Sequence, residues 1–173
     1  TLYRIFTIML HCMLADICME AAGWLANGRE GALPRAVATV ADGAGMVLTA
    51  TMSLLWLAYV LYYVTRDGQV LRRYAVPAGI LLAGLTVLTA TAPLNGWAFT
   101  VDAVNVYHRG PLFLVHALLA YGVLLYATVF VLRNAYRILR GQILPLPAFP
   151  LLPLAGGLLH TAIYGLSTTE GGM

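Results

Sequence analysis

The sequence predicts an all-α membrane protein, a bundle of about five transmembrane helices joined by short turns and one longer extracytoplasmic loop. Three observations lead there. Hydrophobic residues fill 61% of the 173 positions and charged residues only 10%, and the mean hydropathy is +0.82. A soluble domain of this size needs far more charge at its surface, and a disordered chain combines low hydrophobicity with high charge, the reverse of this composition. The apolar residues are gathered into long runs separated by turn residues. No run alternates apolar and polar residues with period two, as an outer-membrane barrel strand would.

A spanning helix needs about 20 apolar residues, because each residue rises about 1.5 Å through roughly 30 Å of hydrocarbon. The first such stretch covers 5–26 and is closed by Asn27, Gly28, Gly31 and Pro34. The second covers 36–64, the third 74–93 and the fourth 111–139. The fifth, 146–166, stands behind Pro145 and contains Pro147, Pro150 and Pro153, so it is expected to bend or to start late. The outer loop is 94–110.

Charge sets the orientation. All 10 basic residues are arginines, and short loops kept in the cytoplasm are enriched in such residues. One side collects Arg4, Arg66, Arg72, Arg73, Arg133, Arg137 and Arg140, and the other only Arg29, Arg35 and Arg109. Thr1 is therefore placed in the cytoplasm and the loop 94–110 outside, in a multi-pass protein of the inner membrane. The net charge of +3 is too small to suggest a nucleic-acid partner. Cys12 and Cys18 lie in the first apolar run without CxxC spacing, so they read as small apolar residues.

Ionisable side chains in hydrocarbon cost several kcal/mol unless paired or wet, which makes each a candidate for function. Asp16 and Glu20 stand four residues apart on the first helix, hence on one face. Asp42 lies among small residues on the second helix, His116 on the fourth and His160 on the fifth, with His11 nearer the cytoplasmic end. Counted from the expected helix ends, Glu20, Asp42, His116 and His160 lie at one level, roughly 8 to 9 Å below the outer boundary. Two readings stand for this set. It lines a wet cavity open to the outside, or each group only hydrogen-bonds a neighbouring helix where Gly43 and Gly45 permit close packing. Trp24 and Trp97 fall at the outer boundary, where indoles anchor, and Trp56 is expected in the core.

The loop from Asn95 to Pro111 is the least repetitive part of the chain. Trp97, Phe99 and Val101 alternate with small or polar residues, Asp102–Asn105 can turn, and Val106–His108 can return, giving a hairpin over the outer mouth. Tyr107 and Trp97 can stack on a flat ligand and Arg109 can clamp an anion. Alternatively Arg109 pairs with Asp102 and only stabilises the loop.

With Asn95, Gly96, Phe99, Asp102, Tyr107, Arg109, Gly110 and Pro111 in this order, the chain resembles the multi-helix N-terminal sensor region of bacterial membrane-bound diguanylate cyclases and of similarly built seven-helix sensor histidine kinases. Asp16 with Trp24 ahead of Arg35, and Trp56 with Tyr59, add to the resemblance. It implies a single sensor domain over 1–173, a further helix before Thr1 and another after Leu166, a cytoplasmic output domain and a homodimer. No GGDEF motif, kinase histidine box or coiled-coil linker occurs within the 173 residues, so the output domain is only what the resemblance implies and a stand-alone bundle is the alternative. Thr at position 1 and an ending just after an apolar run point to a piece of a longer protein.

The function expected is a membrane-embedded sensory input domain that binds a small molecule from outside through Glu20, Asp42, Trp97, Asp102, Tyr107, Arg109, His116 and His160, with lipid around it. A proton-coupled transporter using Asp16, Glu20 and Asp42 is one alternative, against which stand the absent inverted repeat and the apolar cytoplasmic half. A haem-binding electron-transfer bundle using His116 and His160 is another. No GxSxG, HExxH or other catalytic spacing is present, and no cofactor or metal is called for.

Overall fold

The computed structural model describes residues 1–138 together with Leu146, Pro150 and Ala155. The expected helix 146–166, and with it His160, lies outside the described residues. Four described helices are long and apolar enough to cross a membrane. They are α1 (Leu2–Ala26), α2 (Ala32–Thr65), α3 (Gly68–Ala90) and, after a short turn of helix α4 (Ala92–Asn95) and the strands β1 (Phe99–Val101) and β2 (Tyr107–Arg109), α5 (Phe113–Arg133). A 3-10 turn, Ala135–Arg137, follows.

Helix ends differ from the sequence expectation where caps override hydropathy. α2 begins at Ala32, before Pro34, because the first four amides of a helix have no partner inside it and a proline there loses nothing. α3 begins six residues ahead of Tyr74. Asp67 caps it by accepting from the Gln69 amide at 2.7 Å, so the helix carries Arg72 and Arg73 into its first two turns. Arg66, in the left-handed conformation (φ 55°), closes α2, and the two helices meet through Arg66 and Asp67 alone. At the other end α3 stops at Ala90, and Pro93 sits in the separate turn α4. α5 ends at Arg133, short of the expected 139, where the side-chain amide of Asn134 (2.9 Å) and its backbone amide (3.2 Å) both donate to the Phe130 carbonyl.

α2 is the axis of the bundle and the most buried of the four spanning helices, with α1, α3 and α5 packed around it. The arginine-rich end holds the main apolar cluster, in which Met9 of α1, Trp56, Leu57 and Val60 of α2 and Ala127 and Val131 of α5 meet. An aromatic ladder climbs α2 beside it: Trp56 stacks on Tyr59 (5.5 Å), Tyr59 on Tyr63 (6.2 Å), and the Arg66 guanidinium covers Tyr63 (5.0 Å). Midway, Ala50, Leu85 and Ala120 bring α2, α3 and α5 together. The third cluster, Ala92, Ala98 and Phe99 packed against Met46, Leu88, Val101 and Tyr107, joins the hairpin to the helices. Trp56 is 4% exposed, whereas Trp24 and Trp97 are 75% and 53% exposed, as interfacial anchors are.

Candidate functional site

The end of the bundle opposite the arginine-rich end is built around the hairpin. β1 and β2 pair antiparallel with Phe99 opposite Arg109, Thr100 opposite His108 and Val101 opposite Tyr107. Asp102 organises the turn: its Oδ1 accepts from the Val104 amide (3.0 Å) and the Val106 amide (2.9 Å), and its Oδ2 faces His108 Nε2 at 2.8 Å. These bonds, led by that to His108 and then that from Val106, hold the exposed Asp102 carboxyl below the usual carboxylate range. The expected Asp102–Arg109 pair is not the one formed. Strand residues alternate faces, so Thr100, Asp102 and His108 share one side while Phe99, Val101, Tyr107 and Arg109 share the other. Arg109 instead lies over the Phe113 ring, 4.8 Å from its centroid.

Two side chains fasten the hairpin to the bundle. Asn105, 1% exposed and in the left-handed conformation (φ 62°), donates through Nδ2 to the carbonyls of Arg29 and Gly31 (3.2 Å to the latter), so the turn is tied to the α1–α2 connection. Arg35 of α2 adds a bond from its guanidinium to the Val101 carbonyl at 3.3 Å. On the inner side Phe99, stacked with Tyr107 (5.8 Å), reaches between α2 and α3. Its ring would lie 3.6 Å from a Cβ on Gly43, and the Thr89 methyl would lie at the same distance. The Phe99 ring thus packs against α2 at Gly43, where even a Cβ would meet it only at ordinary van der Waals distance.

Beneath the hairpin the polar groups divide between two faces of α2. Asp42 and Asp16 lie in the α1–α2 seam. Asp42 Oδ1 stands 3.6 Å from the place of a Cβ on Gly23 of α1, and Asp16 Oδ1 3.7 Å from that of a Cβ on Gly45 of α2, so each carboxyl faces a glycine of the opposite helix. Glu20 is exposed and within electrostatic range of Asp16. His116 sits on the buried stripe of α5, one turn above the Ala120 that meets Ala50 and Leu85. It is 3% exposed, and among the described residues its Nε2 has no hydrogen-bond partner. The Leu112 amide donates to the Trp97 carbonyl at 2.8 Å, so His116, four residues on, lies about 6 Å below the hairpin's base.

The expected ligand set is thus spread over the surface of the lid (Trp97, Asp102), its underside (Tyr107, Arg109), the α1–α2 seam (Asp42, with Glu20 at its edge) and the interior of the bundle (His116). Sequence reasoning placed Asn105, His108 and Phe99 in the hairpin without giving them the fastening roles they have here. Asn in a turn at a left-handed position was a readable signal for the first. Among the described residues no three His, Cys, Asp or Glu side chains group closely enough to hold a metal ion.

These features define a multi-pass membrane bundle of hydrophobic helices closed at one end by a tethered two-stranded lid. Residues 32–172, most of the chain, match the family described as the N-terminal 7TM region of histidine kinase. The chain belongs to that family. The match bears out the resemblance to the seven-helix region of sensor histidine kinases and carries nothing for a diguanylate cyclase. No curated protein and no solved structure matches the chain.

Proposed function

We propose that this region is the sensory input domain of a bacterial signalling protein of the plasma membrane. In this reading a small molecule arrives from the extracytoplasmic side, engages the underside of the lid and the polar groups below it, and alters how α2 sits against α1, α3 and α5. A cytoplasmic output domain then reads the change.

The observation that carries the reading is the wedge of Phe99 against Gly43 and Thr89, in a hairpin that Asn105 also ties to the start of α2. Anything that lifts or clamps the hairpin must change the packing of the helix that touches all the others. A ligand shifts such an equilibrium only by the difference in its affinity for the two arrangements. Groups satisfied in one arrangement and not the other supply that difference. The buried His116 Nε2, unbonded among the described residues, and the seam carboxyls Asp16 and Asp42 are candidates for such groups.

The test is thermal unfolding of the nanodisc-embedded protein against panels of amino acids, simple carboxylic acids and cationic amines. A specific ligand at a hundred times its Kd adds about 2.7 kcal/mol of stability. At least one compound is expected to raise the Tm of the wild type while leaving the Arg109→Ala and His116→Ala variants, equally helical and inserted, unshifted. Stabilising compounds that act equally on both variants would remove the site from beneath the lid.

A further inference from the structure

The contact between α1 and α2 carries acids where a helix seam in lipid ordinarily carries apolar or small side chains. We propose that this seam is a proton-operated joint. It closes when Asp16 and Asp42 carry protons and loosens when they ionise, so the acidity of the medium on the lid side sets how α1 sits on the bundle.

The acids enter the contact from both sides. Asp42 of α2 stands against Gly23 of α1, where the Ala41 methyl also packs, and Asp16 of α1 stands against Gly45 of α2. Glycine lets the two helices come close, and it offers no side-chain donor to the carboxyl that faces it. Among the described residues neither carboxyl takes part in a hydrogen bond or an ion pair, and both lie within spanning helices. There the two protonation states differ in what they can bond. The helices use the backbone amides around them, whereas each carbonyl keeps a second lone pair. A protonated carboxyl can therefore donate to a neighbouring carbonyl, while an ionised one can only accept and finds no donor. An unpaired charge in hydrocarbon costs several kcal/mol unless water reaches it. Ionisation thus favours an arrangement in which α1 stands off α2 and water enters, and protons favour the closed one.

Position and attachment make the joint usable. Gly23 lies about 4.5 Å short of the lid-side end of α1, which puts Asp42 within a turn of that boundary, and Asp16 lies about 10 Å deeper. Protons reach the seam from the lid side, Asp42 first. α1 is the least buried of the four spanning helices and packs chiefly on α2, so the seam is its main attachment. The titratable groups in electrostatic reach of Asp16 are Cys12 and Glu20 of α1 and Tyr121 of α5, none of them a cation. Among the described residues no charged group is in reach of Asp42. Neither acid is there to balance a described positive charge, which leaves the proton as its counter-ion.

The experiment measures the distance between α1 and α2 by pulsed electron paramagnetic resonance in nanodiscs. No small molecule is added, so the outcome does not depend on a ligand site beneath the lid. Spin labels are placed at Ala21→Cys on α1 and Val40→Cys on α2, both exposed, with Cys12 and Cys18 replaced by Ser. Between about pH 5 and pH 9, above the range in which Asp102 titrates, the seam with both acids is expected to pass from a short, narrow distance distribution to a longer, broader one. Asp16→Asn with Asp42→Asn, whose amides donate to carbonyls and cannot ionise, should hold the short distribution at every pH. Glu20→Gln and Tyr121→Phe should keep the transition. Distances that do not change with pH in the presence of both acids overturn the proposal. So does a transition that persists in the double variant, or one abolished by Glu20→Gln, which would assign the proton to Glu20. Should the double variant not insert, Asp16→Asn and Asp42→Asn are read singly. Each should narrow the alkaline distribution, and no effect of either overturns the proposal as well.

Discussion

Gly110 is the residue on which the lid's attachment turns. Its amide donates to the Ala98 carbonyl at 2.9 Å, and a Cβ there would overlap the main-chain carbonyls of Gly96 and Trp97. Backbone meeting backbone leaves nothing flexible to move aside. Gly110→Ala is therefore expected to prise β2 from the 96–98 segment at a cost of about 1–3 kcal/mol, the range for forced overpacking. Faster hydrogen exchange at the Gly110 and Leu112 amides would register it. Gly84→Ala on α3, where a Cβ meets nothing within 4 Å, is the control and should be neutral or slightly stabilising. Unaltered exchange in Gly110→Ala would show that the lid is not seated as described. Gly110 belonged to the motif that the sequence made conspicuous, yet its reason was hidden, since a close approach between segments is a property of three dimensions. The partner of Asp102 was more nearly legible. Once Val101 and Tyr107 are paired, strand alternation alone puts His108 on the Asp102 side and Arg109 on the other, and the missing information was the register.

At the scale of the hairpin as an element, the Asp102 turn makes the lid acid-sensitive in a calculable direction. Its carboxyl titrates below the usual range because the ionised form is bonded to His108, Val106 and Val104. The ionised form thus favours the folded hairpin. The stabilisation is present above the ordinary aspartate pKa of about 3.9 and disappears as pH falls through the lowered value. Chemical shifts of the Val104 and Val106 amides are expected to hold constant above about pH 4 and to move below it, and Asp102→Asn should flatten the profile. Movement that begins near neutral pH would point to a different group. The hairpin itself was readable from its short period-two run and its Asx turn, because both are local. Helix limits were less so. Hydropathy marks where a helix enters lipid, while Asp67, Pro34 and Asn134 decide where it begins and ends, and in α3 that difference moves Arg72 and Arg73 from a loop into a helix.

For the whole molecule, the type of the spanning elements and the four described spans were legible because lipid admits so few solutions: backbone amides must be bonded within a helix, and 18 or more apolar residues suffice to announce one. What hydropathy does not carry is which face of each helix turns inward. The apparent single level of acids and histidines divides between the α1–α2 seam and the buried face of α5, since neighbours on one helix at positions 42 and 43 point to different partners, Gly23 and Phe99. Sidedness, by contrast, follows from charge that the fold gathers at two ends. Arg4, Arg66, Arg72, Arg73 and Arg133 lie where α1 and α3 start and α2 and α5 finish, opposite the lid with Arg29, Arg35 and Arg109. The arginine-rich end should therefore face the cytoplasm. With Cys12 and Cys18 replaced by Ser, a membrane-impermeant maleimide applied to intact cells is expected to label Thr100→Cys on the lid and to reach Gln69→Cys only after permeabilisation. The reverse pattern would put the lid inside the cell and the arginine-rich end outside, and a ligand from without would then have no place beneath the lid to bind.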